Sequence, residues 1–158
     1  MPWFPGGVSH HGDWYLRNEA FEIKIPGLDG SDHFAVDRSV GLELVWELVR
    51  LNEFSGAPSR FQSMFAFESL AEAQQCQVLD GGDGTIWEVE TDLPGFRADM
   101  SLLHTHPKMD SALQMARIYW SQSEDYDRSN LPPECGPPVW EILLAAPVHV
   151  VRLATDVV

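Results

Sequence analysis

The sequence predicts an α+β domain with a split, mostly antiparallel sheet and helices flanking it. Three observations lead there. The 158 residues fit one domain spanning 1–158. Hydrophobic residues make up 44% of the chain, enough to fill a core. The apolar patterns run helix, strand, helix, strands, helix, loop, strand pair, without the strict strand–helix alternation of a doubly wound sheet.

Residues 1–35 are rich in Gly, Pro, His and Asp, and short strands are expected around Trp14–Leu16 and Phe21–Ile25. Residues 39–52 read as a helix, with Leu44, Leu48 and Leu51 on one face, Val45 and Val49 beside them, and Ser55-Gly56-Ala57-Pro58 as its stop. RFQSMFAF at 60–67 reads as a strand. The next helix opens on a capping box, with Ser69 as N-cap and Glu72 three residues on. GGDG at 81–84 is a turn and TIWEVE at 85–90 an alternating strand. Leu93-Pro94-Gly95 is a second turn, and a strand is expected in RADMSLLH. Residues 109–120 form a helix with Leu113, Met115 and Ile118 apolar. The stretch 121–138 is acidic and holds four prolines, so no regular structure is expected there. VWEILLA at 139–145 and VHVVRLA at 148–154 close the domain as two strands.

Charge narrows the partners. A net charge of -14 argues against sequence-independent binding to nucleic acid and against an anionic membrane surface, and suits a basic protein partner. Cys76 and Cys135 are too few for a disulfide framework or a four-cysteine zinc site. The first residues lack a basic region followed by an apolar run, and no run of about 18 apolar residues occurs. A cytoplasmic protein is expected, or one delivered into a target cell without a cleavable signal. Six Trp and eight Phe can fill a core or line a pocket that stacks flat rings. No P-loop, dinucleotide GxGxxG or Ser-His-Asp signature is present.

Three segments carry a family resemblance: MFAFESLAEA at 64–73, TIWEVE, and PVWEILLAAPVHVV at 138–151. Their order and spacing resemble the ADP-ribosyltransferase superfamily. With LELVWELVRLNEF, PSRFQSMFAFES, RADM and ARIYW, the likeness spans residues 40–154 and points to a bacterial ADP-ribosyltransferase-like branch. The resemblance implies a domain with an NAD cleft between half-sheets, and NAD as substrate. It places Phe65 under nicotinamide and makes Glu141 the catalytic carboxylate. It assigns Ser59, Arg60 and Ser63 to ribose or phosphate contacts, and His11 or else His10 to the far ribose, with Arg17 a further candidate. The chemistry agrees: cleaving the nicotinamide–ribose bond passes through an oxocarbenium-like state, which a carboxylate stabilises and a flat apolar wall shields from water. Arg60 could fork onto two phosphate oxygens. The resemblance further implies an acceptor macromolecule recognised by the loop 121–138. There Glu124, Asp125, Asp127 and Glu134 against Arg128 suit a basic protein surface. Such an enzyme would act as a toxin or conflict effector, which leaves room for a cognate inhibitor protein.

Two other readings compete. HTHP at 104–107 resembles the start of the JAMM metalloprotease motif, with His104 and His106 as zinc ligands. The Ser-x-x-Asp that should follow is missing, since Ser111 is followed by Ala, Leu and Gln; the nearest aspartates are Asp110 and Asp125. The third reading is a non-catalytic binding module on the same fold.

Overall fold

Two helices packed against a three-stranded sheet enclose the core of the computed structural model, which describes residues 7–17, 23–26, 32–35, 38–79, 84–103 and 107–154. The helices are α1 (His10–Arg17), α2 (Arg38–Glu53), α3 (Leu70–Leu79) and α4 (Met109–Trp120). The strands are β1 (Ile23–Pro26), β2 (Asp32–Ala35), β3 (Met64–Ala66), β4 (Trp87–Glu90), β5 (Phe96–Asp99), β6 (Trp140–Leu144) and β7 (His149–Leu153). Among the described residues every strand pair is antiparallel, in three small sheets ordered β1-β2, β3-β6-β5 and β4-β7. The α+β class with split antiparallel sheets therefore holds. No helix among the described residues is long and apolar enough to cross a membrane.

Helix α4 shows why the core closes. Its buried residues Ala112, Met115, Ala116, Tyr119 and Trp120 recur at three- and four-residue steps. The small Ala112 and Ala116 admit α2, and the Trp120 indole donates to the Trp46 carbonyl at 2.8 Å. Leu113 and Ile118, expected on the apolar face, only flank this stripe.

Helix α2 reverses the usual arrangement. Trp46 and Val49 reach the core, but so do the polar Glu43, Glu47 and Arg50. Leu44, Leu48 and Leu51 are 43%, 55% and 53% exposed. Hydropathy periodicity picks out that leucine face correctly as one stripe. It does not say that the stripe faces outward.

Other elements shift for local reasons. Trp14–Leu16 belongs to α1, not to a strand. The Ser9 hydroxyl accepts from Gly12 N at 3.1 Å and the Ser9 carbonyl from Asp13 N at 2.8 Å, which nucleates a helical turn. The strand expected at Phe21–Ile25 overlaps β1 at Ile23–Ile25, and residues 21 and 22 lie outside the described residues. The strand expected at 60–67 contracts to β3, because a turn bonds Gln62 N to the Ser59 carbonyl at 3.0 Å and buries Arg60 and Phe61. The strand within RADMSLLH ends at Asp99, whose carboxylate accepts from Ser101 N at 2.9 Å and starts a 3-10 turn over Met100–Leu103. The proline-rich loop holds two short 3-10 turns, Arg128–Asn130 and Pro133–Cys135. The capping box of α3 forms as expected, with Ser69 N to Glu72 Oε2 at 3.1 Å and Glu72 N to Ser69 Oγ at 3.3 Å. Residues 81–83 of the GGDG turn lie outside the described residues.

Helix α1 rests directly on the turn before β3. Both the backbone N and the hydroxyl of Ser9 donate to the Phe61 carbonyl, at 2.8 and 3.1 Å. Gly12 allows this approach: a Cβ there would stand 2.1 Å from the Phe61 carbonyl oxygen. Gly12→Ala should therefore destabilise the protein by about 1–3 kcal/mol through overpacking, despite alanine's better helix propensity. Urea denaturation checks it, and an unchanged or raised midpoint would show that α1 does not depend on this contact.

Candidate active site

Strand β6 delivers the central carboxylate. Its alternation turns Glu141 and Leu143 inward, and Glu141 is only 1% exposed. A lone charge inside such a strand must find partners. Glu141 Oε1 accepts from the Tyr119 hydroxyl at 2.6 Å and pairs with Arg60 Nη1.

Arg60 is buried between two carboxylates. Its Nε lies 2.9 Å from Glu43 Oε2, its Nη2 3.0 Å from Glu43 Oε1, and its Nη1 2.6 Å from the Tyr119 hydroxyl. The guanidinium carbon sits 4.6 Å from the Phe65 ring centre and 5.3 Å from that of Tyr119. On the far side of Glu43, His11 Nε2 stands 3.3 Å from Glu43 Oε1, and the His11 ring meets Phe65 edge-on at 4.5 Å. A cleft of about 430 Å³ opens over this group, lined among others by His11, Tyr15, Glu43, Arg60, Phe65 and Glu141.

A second layer lies behind the first. Arg50 Nε and Nη2 bond the two oxygens of Glu47 at 2.9 and 2.8 Å, and Arg50 Nη1 bonds the Ala57 carbonyl at 3.0 Å. Ser59 donates to Glu47 Oε2 at 3.0 Å, and Ser63 donates to the Ser59 carbonyl at 2.8 Å. These bonds hold the turn that aims Arg60 inward.

The carboxylates are electrostatically unequal. Burial pushes Glu43 up, but Arg60 and His11 outweigh it and hold its carboxyl at about 2. Burial pushes Glu141 above the usual carboxylate range, with the Glu43 charge adding to it, against Arg60 and Tyr119. Burial opposes the charge on Arg60, yet Glu141 and Glu43 hold it protonated. Burial raises the Tyr119 phenol well above its ordinary value, so it stays a hydrogen-bond donor.

Of the residues singled out by sequence, His11, Arg60, Phe65 and Glu141 meet at this cleft. Ser59 and Ser63 are buried behind it, bonded to Glu47 and to backbone. His10 is exposed at the start of α1, and the Arg17 side chain bonds Asp13. The donors of Arg60 are engaged by Glu43, Glu141 and Tyr119, so its fork meets carboxylates in the place where phosphate was expected. Sequence reading missed Glu43 and Tyr119. The only hint was a pair of glutamates four apart in the otherwise apolar LELVWELV. His104 and His106 lie outside the described residues, and among the described residues no three His, Cys, Asp or Glu stand together as a metal site would need.

The loop before β6 is tied down from within. Arg128 Nη1 bonds Asp99 at 2.6 Å, and its Nη2 bonds Ser101 Oγ at 3.1 Å and the Gly136 carbonyl at 2.6 Å. Asp99 also accepts from Tyr126 and, at 2.9 Å, from Val139 N. Burial would raise the Asp99 carboxyl, but hydrogen bonds from Tyr126, Ser101 and Val139 N lower it below its ordinary value. The first strand residues before Glu141 are thereby fixed.

A sequence profile described as protein of unknown function (DUF2441) matches residues 32–151, which include Glu43, Arg60, Phe65, Tyr119 and Glu141. No curated protein matches the chain.

Glu43 makes the site a pH sensor of stability. Its carboxyl is depressed in the folded state, so its contribution is complete above the unfolded range near 4.5 and is lost as pH falls toward about 2. Glu43→Gln should cost about 3 kcal/mol near neutral pH. Chemical denaturation across a pH series should show the gap to wild type closing toward pH 2, and a gap independent of pH would refute the depressed carboxyl.

Proposed function

This chain belongs to the DUF2441 family, and for it we propose mono-ADP-ribosyl transfer: cleavage of NAD at the nicotinamide–ribose bond and transfer of ADP-ribose to an acceptor macromolecule. One observation supports the reading above others. Glu141 and Phe65, separated by 76 positions in sequence, line one cleft beside a histidine and an arginine.

The chemistry assigns each group a task. Phe65 gives nicotinamide an apolar wall that excludes water. As the bond from ribose C1′ to the nicotinamide nitrogen breaks, its electron pair leaves with the ring and positive charge grows on the ribose. The Glu141 carboxylate stabilises that charge in a site of low dielectric. The acceptor's lone pair then forms the new bond at C1′, and the acceptor's proton passes to Glu141 and on to solvent. A carboxyl raised by burial suits that last step, because it takes up a proton more readily than an exposed one. Tyr119 and Arg60 fix the carboxylate's position. Glu43 supplies the permanent counter-charge that keeps Arg60 from neutralising Glu141 alone. His11, oriented by Glu43, faces the cleft as a polar contact for a ribose hydroxyl.

Labelled NAD tests the proposal. The wild type should release nicotinamide and leave label on an acceptor in cell extract. Glu141→Gln should lower both by about 100-fold or more while keeping the denaturation midpoint, since glutamine can still accept from Tyr119 and Arg60. Alanine is the poorer test, because stripping a partner from buried Arg60 costs about 3–5 kcal/mol. Full-rate nicotinamide release by Glu141→Gln would sink the assignment.

A further inference from the structure

A second and larger hollow, about 720 Å³, adjoins the cleft, and Phe65, Phe67 and Cys76 line both. The proposed transfer does not use it. The strands that border it define its place. Met64, Phe65 and Ala66, the whole of β3, line it, and so do the successive residues Trp87, Glu88 and Val89 of β4. Successive side chains of a strand point to opposite faces of its sheet. A space over one face would meet every second residue, and the neighbouring strand as well. No residue of β6, the partner of β3, or of β7, the partner of β4, lines this hollow; Ala154, just past β7, touches it. The hollow therefore runs along the edges of β3 and β4, on the sides turned away from their partners.

Both edges are open. Strand β3 ends the sheet β3-β6-β5, β4 ends the sheet β4-β7, and the two do not pair with each other. Among the described residues neither strand has a backbone hydrogen bond beyond its own sheet. Such an edge presents a row of N–H and C=O groups that templates a further strand. Apolar side chains beside the edges are uncovered too: Met64 is 44% and Trp87 52% exposed. Leu70 and Ala73 of α3 add an apolar floor. An occupant must therefore satisfy main-chain groups on two sides and an apolar surface below. A small apolar ligand would displace water and leave the edge groups unbonded, which is costly. A helix bonds its own main chain and offers an edge nothing. An extended polypeptide meets every requirement, because its N–H and C=O groups serve both sides and its side chains alternate between the two faces.

We propose that an extended segment of a partner protein, apolar at every second position, inserts between β3 and β4 and pairs its main chain with both edges. The recognition is strand addition, with affinity from the main chain and selectivity from the apolar floor. It does not rest on the transferase reading. The segment would lie against Phe65 and Phe67, the wall shared with the cleft.

The test needs no NAD. The full chain is titrated with acetyl-Thr-Val-Thr-Val-Thr-amide while tryptophan fluorescence is followed, and Trp87→Phe isolates the share of that residue among the six tryptophans. The peptide should bind saturably and change the Trp87 signal. A twin N-methylated at alternate residues keeps one intact edge and loses the other. It should bind at least about tenfold more weakly, since insertion uses both edges. Ala73→Trp, which fills the floor, should abolish binding; the N-methyl comparison leaves the protein unaltered and decides the matter if that variant does not fold. Equal binding of the twin overturns insertion between two edges, and no binding of the peptide at about 1 mM overturns the site. Undiminished binding by folded Ala73→Trp overturns its location. A chain that sediments as a dimer, and that the peptide dissociates, would make the occupant a second copy and overturn the partner.

Discussion

The buried guanidinium of Arg60 is the constraint around which the rest is arranged. A cation removed from water must be compensated, and the idealised cost of burying one runs to several kcal/mol even after relaxation. Here compensation comes from four elements at once: Glu43 on α2, Tyr119 on α4, Glu141 on β6, and the π face of Phe65 on β3. The same contacts that satisfy Arg60 draw the walls of the cleft together. Stability and site geometry therefore share one cause.

Support radiates outward from that centre in layers. Glu47, Arg50 and Ser59 fix the turn that carries Arg60. Asp99, Tyr126 and Arg128 fix the entry to β6 and so the height at which Glu141 projects. Gly12 lets α1 approach Phe61 closely enough to bring His11 over Glu43. The layer of Glu47, Arg50 and Ser59 pairs charged and polar groups in the interior, where only good geometry repays desolvation. The apolar core on α4 supplies the burial that offsets these costs.

Legibility from sequence divided along the range of the interactions. The capping box at Ser69 and Glu72, the helix over 109–120 and the closing strands were readable, because caps and hydrophobic periods act within a few residues. The α+β class followed from their order. Glu141 and Phe65 were readable as candidates only through the family resemblance of the segments that carry them. Glu43 and Tyr119 were not, because their meaning depends on Arg60, which lies 17 residues beyond Glu43 and 59 before Tyr119. The same pairing made Arg60 look like a free phosphate ligand when it is a bonded interior group. The misread strand at Trp14–Leu16 failed for a related reason, since α1 is specified by its seat on Phe61, 52 residues from Ser9.

Helix α2 carries a consequence for anyone who would redesign or transplant it. Rotated about half a turn, it would bring its leucine face inward and carry Trp46 and Val49 out of the core. Three leucines would enter the interior, each worth roughly 1.5–3 kcal/mol on full burial, and two acids and an arginine would return to water. A sequence optimiser rewarding leucine burial alone would drive the segment that way and erase the cleft. A transplanted α2 therefore keeps Glu43 inward only if Arg60 travels with it, because the two are satisfied by each other.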